Sequence, residues 1–382
     1  RTPFSRGGDG KAAVGPMLRE VLIGEAMHAL RIPTTRALAV AATGEPVHRE
    51  RPLPGAVLTR VAASHLRVGS FQFFAARGDL EALRRLLDYT IARHDPELIG
   101  APDAPLALLR AVARRQAALI AMWMNAGFIH GVMNTDNMAI SGETIDYGPC
   151  AFLEAYDPAA VFSSIDHGGR YAYGNQPAIA RWNLARFAEA LLPLVAKADD
   201  EPAVQRAVAQ AMEVIDAFPA WYAAELLRGQ RAKLGLAEGH GDEDAALAAD
   251  WLALLHAQRA DFTLAWRSLA NAVEGDEQPL RALLAEPAAA DAWLSRWRER
   301  CARDAFAPEA RAASLRRANP WIIPRNQRVE EALAAATEGD LAPFEQLLAA
   351  LRRPFDERPE AARYAEPAPA DVTAGYQTFC GT

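Results

Sequence analysis

The chain has 382 residues, 51% of them apolar and 23% charged, and carries a net charge of -7. This length exceeds one small domain and predicts at least two lobes around a sizeable core. The acidic balance excludes a general attraction to nucleic acid or to an anionic membrane, and no apolar run is long enough to span a bilayer.

Residues 1–15 are rich in Gly, Arg and Ser and read as a loop. There is no initiator Met and no signal peptide, so the chain reads as a fragment whose first segment is missing. Pro16 then opens a helix, with Leu18, Leu22, Met27 and Leu30 on its apolar side and Pro33 ending it. Two strand-like runs follow, Ala37 to Ala42 and Ala56 to Ala62, with a turn expected at Thr43-Gly44-Glu45-Pro46. Together these elements make residues 1–70 a small α+β lobe.

After Gly69 the pattern is helical. Leu80 to Ile91 is one helix and Leu106 to Gly127 a longer one, with Gly127 as its C-cap. The section from His130 to Gln176 is the least periodic, and irregular stretches inside compact domains are usually functional. From Pro177 to about Ala350 helices are expected throughout, among them Ile179 to Ala198 and Ala203 to Phe218. Trp251, Trp266, Trp293 and Trp297 are expected in helix packing and not in an aromatic cage. The division is thus 1–70, then a helical region 71–352, then a proline-bearing, irregular tail 353–382.

The chemistry is concentrated between residues 130 and 148. Phosphoryl and nucleotidyl transfers need a divalent cation, oxygen groups to hold it and a carboxylate for the acceptor. Asp136 and Asn137 stand together in a loop. Met138-Ala139-Ile140, a turn at Ser141-Gly142-Glu143, and Thr144-Ile145 then lead to Asp146-Tyr147-Gly148. Two short apolar strands in hairpin would bring Asn137 and Asp146 together. Protein kinases use the same layout, with Phe where Tyr147 stands and with a spacer between the Asp and the Asn. Alone, each motif reads as a turn residue capping its own backbone; order, spacing and hairpin together read as a metal-nucleotide site.

The string His130-Gly131-Val132-Met133-Asn134-Thr135-Asp136-Asn137-Met138, followed by Thr144-Ile145-Asp146-Tyr147-Gly148-Pro149, closely resembles the selenoprotein O family. So do Arg1 to Arg6, Gly8-Asp9-Gly10, Arg19-Glu20, Gly24 to Leu30, Ile32 to Arg36, Asp166 to Tyr173, Gln176-Pro177, Trp182-Asn183-Leu184, Asn319-Pro320 and Leu351 to Phe355. The resemblance implies a protein-kinase-like, two-lobed α+β fold with a truncated N-lobe and a large, mainly helical C-lobe. It implies a protein adenylyltransferase that moves AMP from ATP to Ser, Thr or Tyr hydroxyls of proteins, with Mg or Mn as cofactor. The alternatives are phosphoryl transfer of the ordinary kinase type and a non-catalytic scaffold.

Roles follow from the resemblance residue by residue. Asp136 is the catalytic base, and Asn137 and Asp146 hold the metal against the ATP phosphates. Arg60 and Arg67 are phosphate ligands, because ATP binds in a flipped orientation that leaves its α-phosphate open to attack; guanidinium forks suit that task, while their plain reading is a surface ion pair. Asp9 and Gly10 match a nucleotide-contacting turn. Glu20 sits where a kinase-like fold places the glutamate that pairs with a strand lysine; its plain reading is a solvated helix glutamate. A metal site from His130, Asp136, Asp146, Asp166 and His167 lacks HxxxH or HExxH spacing, and His130 is expected to orient the catalytic loop by hydrogen bonding.

The family's glycine-rich loop and its lysine lie upstream of residue 1, and Lys11 is on the wrong side of the loop to replace that lysine, so weak ATP binding is expected. The cysteines Cys150, Cys301 and Cys380 show no CxxC spacing and read as free thiols in a reducing compartment. The resemblance adds another possibility: Cys380 takes the family's selenocysteine or cysteine position, and relatives tie it to a cysteine after Asp-Tyr-Gly. Phe162 stands at that partner position here, which leaves nearby Cys150 for a Cys150–Cys380 disulfide. The expected partners are ATP and hydroxyl-bearing proteins, without nucleic acid or membrane. The Ala- and Arg-rich composition suggests a bacterial, cytoplasmic protein.

Overall fold

The computed structural model describes residues 7–197, 199–237, 239–373 and 375–379. It is a mixed α and β structure in which helices predominate and the sheets are small. The first sheet is antiparallel, in the order β1-β3-β2, from β1 (Ala12–Ala13), β2 (Arg36–His48) and β3 (Pro52–Val61). Helix α1 (Val14–Ala29) packs on it and buries Leu18, Leu22, Ile23 and Met27 together with the charged Arg19, Glu20 and Glu25.

The turn expected at Thr43 to Pro46 is not one. Those residues form an irregularity inside β2, between the pairs Ala42↔Ala56 and Pro46↔Pro54, with Gly44 at φ +74°. The chain reverses instead at Arg49–Arg51. Gly55 makes room for the bulge: a Cβ there would lie 2.6 Å from both the Glu45 carbonyl and the Thr43 hydroxyl. A bulge absorbs turn-forming residues without ending the ladder.

Helices α2 (Val68–Ala75), α3 (Leu80–His94) and α4 (Ala104–Ala126) follow. Asp79 caps α3 by accepting from the Ala82 N–H at 3.0 Å. Gly127 caps α4 with φ +73°, and the Phe262 ring lies 2.8 Å from where its Cβ would be. The strands β4 (Phe128–Ile129) and β5 (Ala151–Phe152) pair across the irregular section. Then come α5 (Gln176–Val195) and α6 (Glu201–Leu234).

Helix α6 runs well past the expected stop at Phe218, with Pro219 inside it. Proline removes the bond to the carbonyl four residues back. That carbonyl, on Ile215, instead accepts from Arg181 Nε at 3.2 Å, so the break is covered from a neighbouring helix. The remaining helices are α7 (Gly241–Gln258), α8 (Phe262–Val273), α9 (Gln278–Arg281), α10 (Asp291–Cys301), α11 (Pro308–Ala318), α12 (Asn326–Thr337) and α13 (Ala342–Leu351). The tail is not wholly irregular: α14 (Ala362–Ala365) and α15 (Ala370–Thr373) are short helical turns in it.

Two apolar cores result. The larger joins α1 to α6 with α12 and α13 and encloses Met133, Met138, Ile140 and Tyr147. The smaller contains the four tryptophans: Trp293 and Trp297 stack at 5.7 Å, and their indole N–H groups donate to the Leu247 and Leu234 carbonyls at 3.0 and 2.9 Å. This is the helix packing expected of them.

Lys233, on α6, is buried with no carboxylate partner among the described residues, and its Nζ lies 4.8 Å from the Trp266 ring centre. Burial pushes its pKa from the ordinary 10.5 down to about 7. The unfolded chain therefore holds this proton between those values and the folded one does not. Stability contributed by the neutral amine is complete above pH 10.5 and is lost as pH falls toward 7, by roughly 4 kcal/mol in all. Denaturant melts of the parent and Lys233→Met between pH 7 and 10 should show this slope in the parent only; parallel curves would refute it.

Candidate active site

The loop after β4 is built from buried polar anchors. The His130 N–H donates to Gln176 Oε1 at 3.0 Å, and Gln176 Nε2 donates to the Phe128 carbonyl at 2.9 Å. Asn183 Nδ2 on α5 donates to the Met133 carbonyl at 3.0 Å. Asn134 Oδ1 accepts from the Asp136 N–H at 2.9 Å and starts a short 3-10 turn, Thr135–Asn137. Asp136 thereby lies against the first turn of α2. A Cβ on Gly69 would be 2.0 Å from Asp136 Oδ1, so only glycine leaves room for that carboxylate.

Asn137 and Asp146 meet as expected: Asn137 Nδ2 donates to Asp146 Oδ2 at 2.8 Å and to the Val132 carbonyl at 3.0 Å. The expected hairpin ladder between them does not form. The Val68 N–H donates to the Met138 carbonyl and the Ile140 N–H to the Leu66 carbonyl, at 3.0 and 2.9 Å. The other limb pairs with residues 33–35, through Thr35 N–H to the Thr144 carbonyl and Thr144 N–H to the Pro33 carbonyl. The limbs still reverse at Gly142, whose φ is +77°. Both limbs thus obtain partners from chain segments on their outer sides, residues 33–35 after α1 and 66–68 at the start of α2.

Asp146 has φ +72°, in the left-handed region that Asp and Asn tolerate better than most side chains. Its neighbours hold it there. His130 Nε2–H donates to the Ile145 carbonyl at 3.0 Å, and burial depresses the imidazole pKa, so the ring stays neutral in that tautomer. The Tyr147 N–H donates to Glu20 Oε1 at 2.6 Å, and Tyr147, fully buried, hydrogen-bonds Thr34 through its hydroxyl. His130 therefore orients the loop, as expected.

Glu20 is not a solvated helix glutamate. It is buried and its Oε2 accepts from Arg60 Nη2 at 2.7 Å. Burial pushes its pKa up, and Arg60 and the Tyr147 N–H oppose that. Arg67 begins α2 and is half-buried; burial and the charge of Arg60 lower its pKa, while Asp136 and Asp146 counteract. Arg60 and Arg67 each keep a buried Nε with no hydrogen-bond partner among the described residues. Two neighbouring guanidiniums, Arg60 on Glu20 and Arg67 near Asp136 and Asp146, with donors to spare are suited to a polyanion. His65 adds a third basic group whose pKa is depressed by burial and by both arginines; no motif pointed to it.

Asp9 is separate from this cluster. It is exposed, accepts from Arg49 Nη1 at 2.9 Å and from the Lys11 N–H at 3.0 Å, and is held at a pKa of about 2 by Arg49 first and then Lys11. Gly10, at φ +71°, lines a cleft of about 380 Å³ together with Arg60. Asp166 spends its carboxylate on the Arg170 and Tyr171 N–H groups at 2.8 and 2.7 Å. Cys150 is buried and its thiol is pushed up to about 12, whereas Cys380 lies outside the described residues, as does the expected disulfide.

Several anchors have no role expected from the sequence, although Arg19 stands in one of the family strings. Arg19 donates to the Tyr147 carbonyl at 3.0 Å and to the Cys150 carbonyl at 2.6 Å. Gln116 Nε2 donates to the Ala139 carbonyl at 2.7 Å and Trp123 Nε1 to Thr144 Oγ1 at 2.9 Å. A signal did exist for Gln116, since it is a polar residue between Ala113 and Ala117 on the apolar side of a helix.

Among the described residues no group of three or more His, Cys, Asp or Glu is placed to hold a metal ion. The donor set of Asp146 and Asn137 still fits a hard cation. Asn137 uses its amide nitrogen internally, which leaves its carbonyl oxygen beside a carboxylate, and magnesium commonly takes one or two protein oxygens and completes its shell with phosphate and water.

The family model described as protein adenylyltransferase SelO matches residues 1–352. The chain is 63% identical over 383 residues to the protein nucleotidyltransferase YdiU of Chromobacterium violaceum, covering all of this chain and 79% of that protein. It is 62% identical to the protein of the same name from Cereibacter sphaeroides, covering 77% of it, and 58% identical to that from a Mycobacterium species, covering 76%. No helix among the described residues is long and apolar enough to cross a membrane.

Proposed function

The chain belongs to the SelO family of protein adenylyltransferases and is a nucleotidyltransferase enzyme, and from that premise we propose that it transfers AMP from ATP to Ser, Thr or Tyr hydroxyls of proteins. The observation that carries the reading is the meeting of Asn137 and Asp146 beside two arginines whose buried Nε atoms have no partner among the described residues. Residues 1–70 would serve as the nucleotide-side lobe, 71–352 as the catalytic lobe and 353–382 as a tail.

In this reading Asp136 accepts the proton of the acceptor hydroxyl as its oxygen attacks the α-phosphorus, and pyrophosphate leaves. Arg60 and Arg67 hold the remaining phosphates, and Glu20 fixes the Arg60 fork while it holds the Tyr147 N–H. Asn137 and Asp146 would hold Mg or Mn, which when bound neutralises phosphate charge. Asp9 and Gly10 would border the nucleotide. Neither nucleic acid nor a membrane enters the reaction, and a bacterial cytoplasm would supply the ATP.

Separate assays with ATP labelled on the α-phosphate and on the γ-phosphate test this. Label from the α-phosphate on protein supports the proposal; label from the γ-phosphate alone would establish kinase chemistry; neither, with partner binding intact, would leave a scaffold. A second expectation concerns Gly69. In Gly69→Ala the new methyl displaces Asp136, and AMP transfer is expected to fall about 100-fold, the usual cost of a misplacement near 1 Å. Equal kcat in parent and variant would show that Asp136 does not act from this position.

A further inference from the structure

A cavity of about 540 Å³ lies apart from Asp136 and Asp146. Its walls come from the end of α1, the second half of α4, the last turns of α6 and the chain after α11. Its apolar lining includes Leu30, Ala121, Met122 and Pro320. Its charged lining is Arg31, Arg228, Lys233 and Arg317, against the single carboxylate of Glu225, which pairs with Arg228. Among the described residues Arg31 and Arg317 therefore lack a carboxylate, and the buried Lys233 amine lacks one too. The Arg31 side chain is placed against the Phe355 ring, 5.3 Å from its centre, the exposed Arg317 side chain has no hydrogen-bond or ion-pair partner among the described residues, and the Lys233 Nζ lies over the Phe262 and Trp266 rings. Elsewhere most arginines in this acidic chain are matched with carboxylates, as Arg231, Arg300 and Arg325 are.

A cavity of this size suits a small organic molecule, and unmatched cations around an apolar floor select its chemistry. We propose that this cavity is a binding site for a small amphiphilic anion, with an apolar body on Met122 and Pro320 and a phosphate or carboxylate head between Arg31 and Arg317. Two walls connect it to the catalytic segment. Leu30 to Ile32 lead directly into Pro33 and Thr35, which bond the Thr144 backbone. On α4, Trp123 follows Met122 and donates to Thr144 Oγ1. Thr144 is two residues from Asp146, so occupancy of the cavity is felt at the Asp146 segment.

Calorimetric titration of the whole chain with decyl phosphate or decanoate, below their micelle concentrations, tests the site without reference to AMP transfer. One of the two should bind saturably, and the better of them identifies the head group. Decanol and inorganic phosphate, which each lack one half of the ligand, should bind at least about tenfold more weakly, as should both probes in the Arg31→Ala, Arg317→Ala double variant. Both arginines are exposed, so that variant should fold. Ala118→Phe, which fills the cavity, should remove binding. Equal affinity in the double variant, equal binding of inorganic phosphate, or no saturable binding would overturn the site. Bound decyl phosphate should slow amide exchange over Thr144–Gly148; unchanged exchange there would overturn the connection.

Discussion

In Asp146→Asn, transfer of labelled AMP is expected to fall by roughly 1000-fold or more while the melting temperature barely moves. Loss of a group that holds charge-neutralising contacts in a transition state has effects of about that size. The substitution removes little else. Asn tolerates the left-handed backbone at φ +72°, and with its amide oxygen in the Oδ2 place it still accepts from Asn137 Nδ2, losing only the 3.4 Å contact of the Gly148 N–H with Oδ1. Asp146→Ala is expected to lose the same activity and about 1–3 kcal/mol of stability as well, because alanine at that φ is strained and two donors lose their acceptor. Kinetics on both variants, with thermal melts, separate charge from scaffold. An Asn variant within tenfold of the parent would remove Asp146 from the catalytic machinery.

Arg325→Met is expected to cost about 3–5 kcal/mol, the range for stripping one partner from a buried ion pair. Arg325 stands at the N-terminus of α12, where the two cores meet. Its Nη1 donates to Asp261 Oδ2 at 2.6 Å and Glu154 Oε2 at 2.5 Å, and its Nη2 to the Ala365 carbonyl at 2.9 Å. Without it the buried Asp261 and the partly buried Glu154 carboxylate lose their shared cation. Burial already raises the Glu154 pKa, and only Arg325 with lesser backbone help opposes this. Arg325→Lys should recover only part of the loss, since an ammonium cannot serve three acceptors in the geometry of a planar fork. Adding Glu154→Gln and Asp261→Asn to Arg325→Met should recover more. Urea melts measure all three; a single variant within 1 kcal/mol of the parent would show that water replaces the guanidinium.

Much of the fold was legible because its rules are local. The apolar spacing of Leu18, Leu22 and Met27 marked α1, and Gly127 marked the end of α4 through the left-handed cap that only glycine adopts freely. The four tryptophans were placed correctly by their helical setting. The turn at Thr43 to Pro46 was misread because its residues are those of a turn, and only the re-pairing of Pro46 to His48 with Pro52 to Pro54 makes it a bulge. Pro219 likewise stops a helix by local rules, and Arg181 on another helix lifts that rule.

The site divides in the same way. Sequence by itself determined the family, and with it the enzyme class, because long ordered strings such as His130 to Asn137 survive as text. It also determined that Asn137 and Asp146 meet, since nine residues and one glycine turn leave few other arrangements. Only the tertiary structure decided that Arg60 is Glu20's partner, that Asp9 faces Arg49 and stays apart from the cluster, and that the limbs around Gly142 pair outward with residues 33–35 and 66–68. These bonds join residues from 40 to more than 100 positions apart. A donor can recognise any acceptor of suitable charge and distance, so such a pairing leaves no period or spacing in the chain, and burial alone selects among the candidates.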